Sequence, residues 1–125
     1  MIDFEVEYLP DSVAVVKVRG TLNESTRNYF FNCITDLIGT SKDSENEVNT
    51  VIIECHGLGY IGSSGMAALL ASRNKARKRG TAIYLTHLNS TIASAIKHTK
   101  LSSMLAVFPT TEDLLSRLHV QTVLC

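Results

Sequence analysis

Three consecutive β-branched residues, Val51-Ile52-Ile53, constrain this chain more than any other feature, because they lead toward Gly62-Ser63-Ser64-Gly65 and then Met66-Ala67-Ala68-Leu69-Leu70-Ala71. The first run is too short for a helix and uninterrupted by polar residues, which favours a central strand covered on both faces. The last run reads as the buried beginning of a helix. Between them, two hydroxyls stand at a strand-to-helix junction. Backbone N–H groups there lack helical partners and lie at the positive end of a helix dipole. That setting suits a serine that caps the helix, and it also suits a serine that carries a phosphate.

The elements around this junction follow from pattern. Phe4-Glu5-Val6-Glu7-Tyr8 alternates apolar and charged residues, Leu9-Pro10-Asp11-Ser12 supplies a turn, and Val13 to Val18 returns as the second strand of a hairpin. Gly20 is expected to break that strand. Asn23 or Ser25 can cap a helix with apolar positions at Phe30, Ile34, Leu37 and Ile38. Gly39 to Asn49, with Val48 its only aliphatic member, reads as an exposed loop. The serine-led helix ends in Arg73, Lys75, Arg77, Lys78 and Arg79, with Gly80 as its C-cap. Thr81 to Thr86 is a further strand, Ser90 is expected to cap a helix using Ile92, Ala93 and Ile96, and Ala106-Val107-Phe108 is a short last strand. Thr110 and Asp113 match a capping box for the final helix. A hairpin followed by alternating helices and strands implies right-handed crossovers and a mostly parallel sheet. The expected fold is one α/β domain over residues 1–125, with its core at about 4–118. Its mixed sheet has four to five strands, with about four helices.

Composition excludes several function classes. Twelve basic and twelve acidic residues cancel, so net charge gives no push toward nucleic acid or a membrane surface. There is no Trp for a base-stacking platform. Cys33, Cys55 and Cys125 are odd in number and widely spaced, which indicates neither a disulfide framework nor a zinc site. Four dispersed histidines, His56, His87, His98 and His119, lack the i, i+4 pairing of a metal-binding helix. No signal peptide and no apolar run of membrane-spanning length is present, so a cytoplasmic setting without membrane insertion is expected. No metal and no cofactor is expected.

Catalysis by Ser63 fits poorly. A nucleophile elbow needs Gly-x-Ser-x-Gly, and here the glycines of Gly62-Ser63-Ser64-Gly65 stand one residue too close. Nothing organises His87, His98, His119 or Asp113 as partners. Gly57-Leu58-Gly59 lacks the lysine and spacing of a phosphate-cradling loop. A small serine hydrolase is the most distant reading; no catalytic residue is expected, and the serine looks like a substrate for another enzyme.

Gly20-x-Leu22 before the first helix and Ser63-Ser64-Gly65-Met66 opening the second, in this order of elements, resemble the STAS domain of bacterial anti-sigma factor antagonists. Ala76-Arg77-Lys78-Arg79-Gly80 and Thr99-Lys100-Leu101 fit the same pattern, and the resemblance runs from about Phe4 to about Leu118. It implies a non-enzymatic switch that binds an anti-sigma factor with protein-serine kinase activity and so controls sigma-factor-dependent transcription. It places the phosphoacceptor at Ser63, with Ser64 the weaker candidate, and a serine phosphatase reversing the modification. It also implies a partner surface of Leu22, Asn23, Glu24, Ser25, Gly62, Ser63, Ser64, Gly65 and Met66. Three residues depart from the usual pattern: Gly62 and Asn23 stand where Asp is common, and Lys100 where Gly is. The alternative is an unphosphorylated STAS scaffold in a multiprotein regulatory or transport complex, self-assembly included.

Overall fold

The computed structural model describes residues 1–39, 48–99 and 103–124. Its elements run β1 (Ile2–Leu9), β2 (Val13–Leu22), α1 (Arg27–Gly39), β3 (Thr50–Ile61), α2 (Ser63–Lys78), β4 (Ala82–Thr86), α3 (Ser90–Lys97), β5 (Ala106–Phe108) and α4 (Thr111–Leu124). The sheet has five strands in the order β1-β2-β3-β4-β5. β1 and β2 are antiparallel, and the remaining neighbours are parallel. The expected mixed α/β architecture, with its hairpin entry and four helices, is what forms.

Alternation decides which residues enter which layer. Ala14, Val16 and Val18 of β2, Val51, Ile53 and Cys55 of β3, and Ile83 and Leu85 of β4 face α1, α2 and α3. Phe30, Ile34, Leu37 and Ile38 form the apolar stripe of α1, and all four are buried. Each such side chain contributes about 1.5–3 kcal/mol by leaving water. On the other face Val13, Val15 and Ile52 pack against Leu114 of α4. Among the described residues α4 is the helix packed on that face, and it covers only part of it.

Several boundaries differ from expectation. β2 does not break at Gly20 but continues to Leu22, because Gly20 adopts φ +110° within the strand. β3 runs on past Cys55 to Ile61, and two register shifts against β2 absorb its extra residues. Val48 is not part of an exposed loop. It is buried, and its carbonyl accepts a hydrogen bond from Thr81 Oγ1 at 3.1 Å. The rest of that expected loop, residues 40–47, lies outside the described residues, as do Lys100, Leu101, Cys125 and the side chain of His119.

Caps shift by one place. Asn89, not Ser90, caps α3, with its Oδ1 accepting from Ile92 N–H at 2.8 Å. Arg79 is the C-cap of α2, and Gly80 follows at φ +76°. Gly80 N–H donates to Arg77 O and Thr81 N–H to Ala76 O, which together make a Schellman closure. Thr110 caps α4 through Asp113 N–H at 3.0 Å.

Candidate functional site

The β2–α1 connection and the start of α2 meet at the carboxyl end of the sheet. Gly62 N–H donates to the Leu22 carbonyl at 3.0 Å, tying the two segments together. Gly65 allows the approach. A Cβ at that position would lie 2.6 Å from Leu22 O and 2.8 Å from Leu22 Cγ. The Leu22–Ser25 segment is itself braced. Asn23 Oδ1 accepts from Ser25 N–H at 2.9 Å and Thr26 N–H at 3.2 Å, while Asn23 N–H donates to Thr26 Oγ1 at 2.9 Å. Thr26 Oγ1 donates in turn to Thr21 O at 2.8 Å. Asn23 therefore caps the turn that leads into α1, and an amide serves this role as a carboxylate would.

Ser63 is not the helix cap. Gly62 occupies that place with extended backbone (φ −96°, ψ 180°) and has no side chain to offer, and Ser63 is the first helical residue. Met66 N–H donates to Gly62 O at 3.0 Å as the first helical bond, so the N–H groups of Ser63, Ser64 and Gly65 have no carbonyl upstream in the helix. Ser63 is exposed, and its hydroxyl has no hydrogen-bond partner among the described residues. No imidazole or carboxylate bonds to it there, as activation of a nucleophile would require. Its hydroxyl is accessible and unactivated.

The expected partner residues divide by burial. Glu24, Ser25 and Ser63 are exposed; Asn23, Gly62, Ser64 and Met66 are half-buried. Leu22 and Gly65 are buried, where they hold the two segments in register. The structure adds residues that sequence reasoning missed. Arg27, Asn28 and Phe31 of α1 face Ser64, Ala67 and Ala71 of α2 across a shallow groove of about 290 Å³. Ala67 and Ala71 are exposed rather than part of a buried helix start. Only the pairing of α1 with α2 creates this groove, and no local motif announces it.

Other candidates fall elsewhere. The basic residues from Arg73 to Arg79 lie along the C-terminal part of the 16-residue α2, about 15–24 Å along its axis from Ser63, and those in its last turn complement the helix dipole. Burial, then the neighbouring Glu54 charge, pushes the Cys55 thiol up to about 12, and Cys33 is raised by burial and by Asp36. Both are core thiols in character. Among the described residues no group of His, Cys, Asp and Glu could hold a metal ion, and no helix is long and apolar enough to cross a membrane.

The family model described as the STAS domain matches residues 7–114. The chain belongs to that family. The anti-sigma-F factor antagonist RsfA of Mycobacterium tuberculosis is 24% identical over 106 residues, which span 85% of this chain and 80% of RsfA. The crystal structure of an anti-sigma factor antagonist from Mycobacterium paratuberculosis superposes with a TM-score of 0.80 at 24% identity, covering 95% of each chain. The phosphorylated form of the Bacillus cell fate determinant SpoIIAA shares the fold with a TM-score of 0.66 at 18% identity, over 93% of this chain and 99% of that one.

A capping side chain at position 62 should strengthen this STAS domain. Gly62→Asp is expected to stabilise the fold by a few tenths of a kcal/mol up to about 1, since Asp would accept from the free N–H groups of Ser64 or Gly65. The extended backbone at Gly62 admits any residue, and the new Cβ would meet only the Tyr60 ring edge, with Oη at 3.2 Å. Tyr60 is exposed and can swing aside. Ser63→Ala, at the first helical position, should change stability by less than about 0.5 kcal/mol. Urea denaturation of both variants checks this; a loss above about 1 kcal/mol in Ser63→Ala would return the capping role to Ser63.

Proposed function

We propose that this STAS domain is an anti-sigma factor antagonist controlled by phosphorylation of Ser63. The observation that carries the reading is an exposed, unbonded hydroxyl on the first residue of α2, beside a braced Asn23–Ser25 segment. An anti-sigma factor with serine kinase activity would dock over the α2 start, Glu24, Ser25 and the groove between α1 and α2. It would transfer phosphate to Ser63, and a serine phosphatase would remove it. Bound in the cytoplasm, the unphosphorylated chain would free a sigma factor for transcription. The name of the mycobacterial relative and the phosphorylated form of SpoIIAA support this reading.

Incubation with ATP and an anti-sigma factor kinase of this family, followed by peptide mass spectrometry, tests it. One phosphate on Ser63 is expected. Phosphate on Ser64 would move the site by one residue. Stable complex formation with no phosphate on either serine would favour a second reading, an unphosphorylated STAS scaffold. That reading draws on Gly62, which brings no carboxylate to the acceptor where the family pattern commonly has one.

A further inference from the structure

The face of the sheet that α4 leaves partly uncovered holds a cavity of about 640 Å³, within the range of about 300–1,000 Å³ usual for small-ligand sites. Two backbone irregularities, a bulge in β3 and a left-handed residue after β4, border it. Lys17 pairs with Glu54 while Arg19 pairs with Gly57, so β3 spends three steps against two on β2. This bulge breaks the alternation and leaves both His56 and Gly57 exposed. A Cβ at Gly57 would overlap Arg19 Cγ, so only glycine there lets the Arg19 stem lie across β3. His87, at the end of β4, adopts φ +58°, a left-handed conformation costly for a non-glycine residue.

The hydrogen bonds show which polar groups are already committed. Thr111 N–H donates to His87 Nε2 at 3.2 Å, which leaves the ring proton on Nδ1. Thr111 Oγ1 donates to Glu54 Oε2 at 2.6 Å and shares a bond with Thr86 Oγ1 at 3.0 Å. Glu54 is thus occupied in docking the first turn of α4. Lys17 stands in register between Glu5 and Glu54 but forms no ion pair with either among the described residues. Arg19 stands opposite Asp3 on β1, its stem lies against Gly57, and among the described residues it too forms no ion pair or hydrogen bond. Five guanidinium N–H groups, the His56 ring and His87 Nδ1–H remain as unspent donors around the cavity. Leu9, Val15 and Leu115 supply apolar lining, with Glu7 in register beside Val15.

We propose that this cavity is a second binding site, for a small organic oxyanion. Arg19, His56 and His87 hold its carboxylate or phosphate head, and Leu9, Val15 and Leu115 cover its apolar body. Glu5, Glu7 and Glu112 also line the cavity. They disfavour a bare multivalent anion and select one whose single anionic head is carried on apolar bulk. The site lies on the α4 side of the sheet, across from the layer that contains α2, and does not depend on Ser63.

Titration of the full chain with benzoate, phenyl phosphate, inorganic phosphate and benzylammonium, followed by NMR of the histidine rings and backbone amides, tests this. Benzoate or phenyl phosphate should shift His56, His87 and Thr111 saturably, and which binds tighter identifies a carboxylate or a phosphate head. Arg19→Met keeps an apolar stem over Gly57 and should weaken binding at least about tenfold. Gly57→Ala should do the same by displacing Arg19, and Ser63→Ala should change nothing. If Gly57→Ala fails to fold, Arg19→Met decides alone. Shifts that do not saturate, saturable binding untouched by Arg19→Met, or tighter binding of benzylammonium would overturn the site. Inorganic phosphate binding as tightly as phenyl phosphate would overturn the role given to Leu9, Val15 and Leu115.

Discussion

Phosphorylating Ser63 is expected to weaken binding to the anti-sigma factor by about 2–5 kcal/mol, roughly thirtyfold or more in Kd. The effect belongs to the interface rather than to the fold. A phosphate at the first position of α2 meets the free N–H groups of Ser63, Ser64 and Gly65 and the positive end of the helix dipole. The isolated domain therefore tolerates it, with no loss of stability. A partner surface fitted to a neutral hydroxyl gains a group of about −1.5 to −2 charges, which it must desolvate or oppose with its own acidic residues. Glu24, exposed on the adjoining segment, adds to the negative field. Arg27, on the groove that Ser64 also lines, is the nearby cation, and drawing it toward the phosphate would remove it from the partner. Ser63→Asp and Ser63→Glu should give part of the loss, because one carboxylate carries less charge and fewer acceptor oxygens. Ser64→Ala should have little effect. Calorimetric titration of the phosphorylated chain and these variants against the same anti-sigma factor provides the comparison. Equal affinities across wild type, Ser63→Asp, Ser63→Glu and the phosphorylated chain would remove the switch from Ser63.

What the sequence made legible was mostly local. The α1 stripe of Phe30, Ile34, Leu37 and Ile38 repeats at helical spacing, and all four residues are buried as that spacing requires. Asp11 and Ser12, read as turn residues, adopt positive φ between β1 and β2. The glycines misled where pairing, rather than punctuation, determined their use. Gly20 reads as a strand end, yet its φ of +110° lies within β2. A side chain there would run into the Met1 carbonyl. Gly57 and Gly59, weighed in the sequence only against a phosphate-cradling loop, accompany the two register shifts that let β3 continue to Ile61. Capping failed by one residue at Ser63 and Ser90 for a related reason. Side-chain type marks a good cap, but backbone dihedrals decide which residue is the cap, and Gly62 and Asn89 carry the extended ones. The donor cluster of Arg19, His56 and His87 comes from three strands and their ends, so only tertiary pairing brings it together.

Gly65→Ala is expected to lose about 1–3 kcal/mol of stability, with a fall in Tm on the order of 4 °C for each kcal/mol. The methyl group would sit 2.6 Å from Leu22 O, 2.8 Å from Leu22 Cγ and 3.0 Å from Ile61 Cγ1. None of these can yield cheaply. Leu22 is fully buried, and its carbonyl already accepts the Gly62 N–H at 3.0 Å. Ile61 is buried at the end of β3. Relief must come from moving the start of α2 away from the end of β2, which breaks the bond that sets Ser63 beside Asn23–Ser25. Partner affinity should therefore fall together with stability, unlike Ser63→Ala, which should disturb neither. Thermal melts paired with calorimetry on both variants make the distinction. A Gly65→Ala chain that melts with wild type would mean the two segments part without cost, and the close approach of α2 to Leu22 would then not be what positions Ser63.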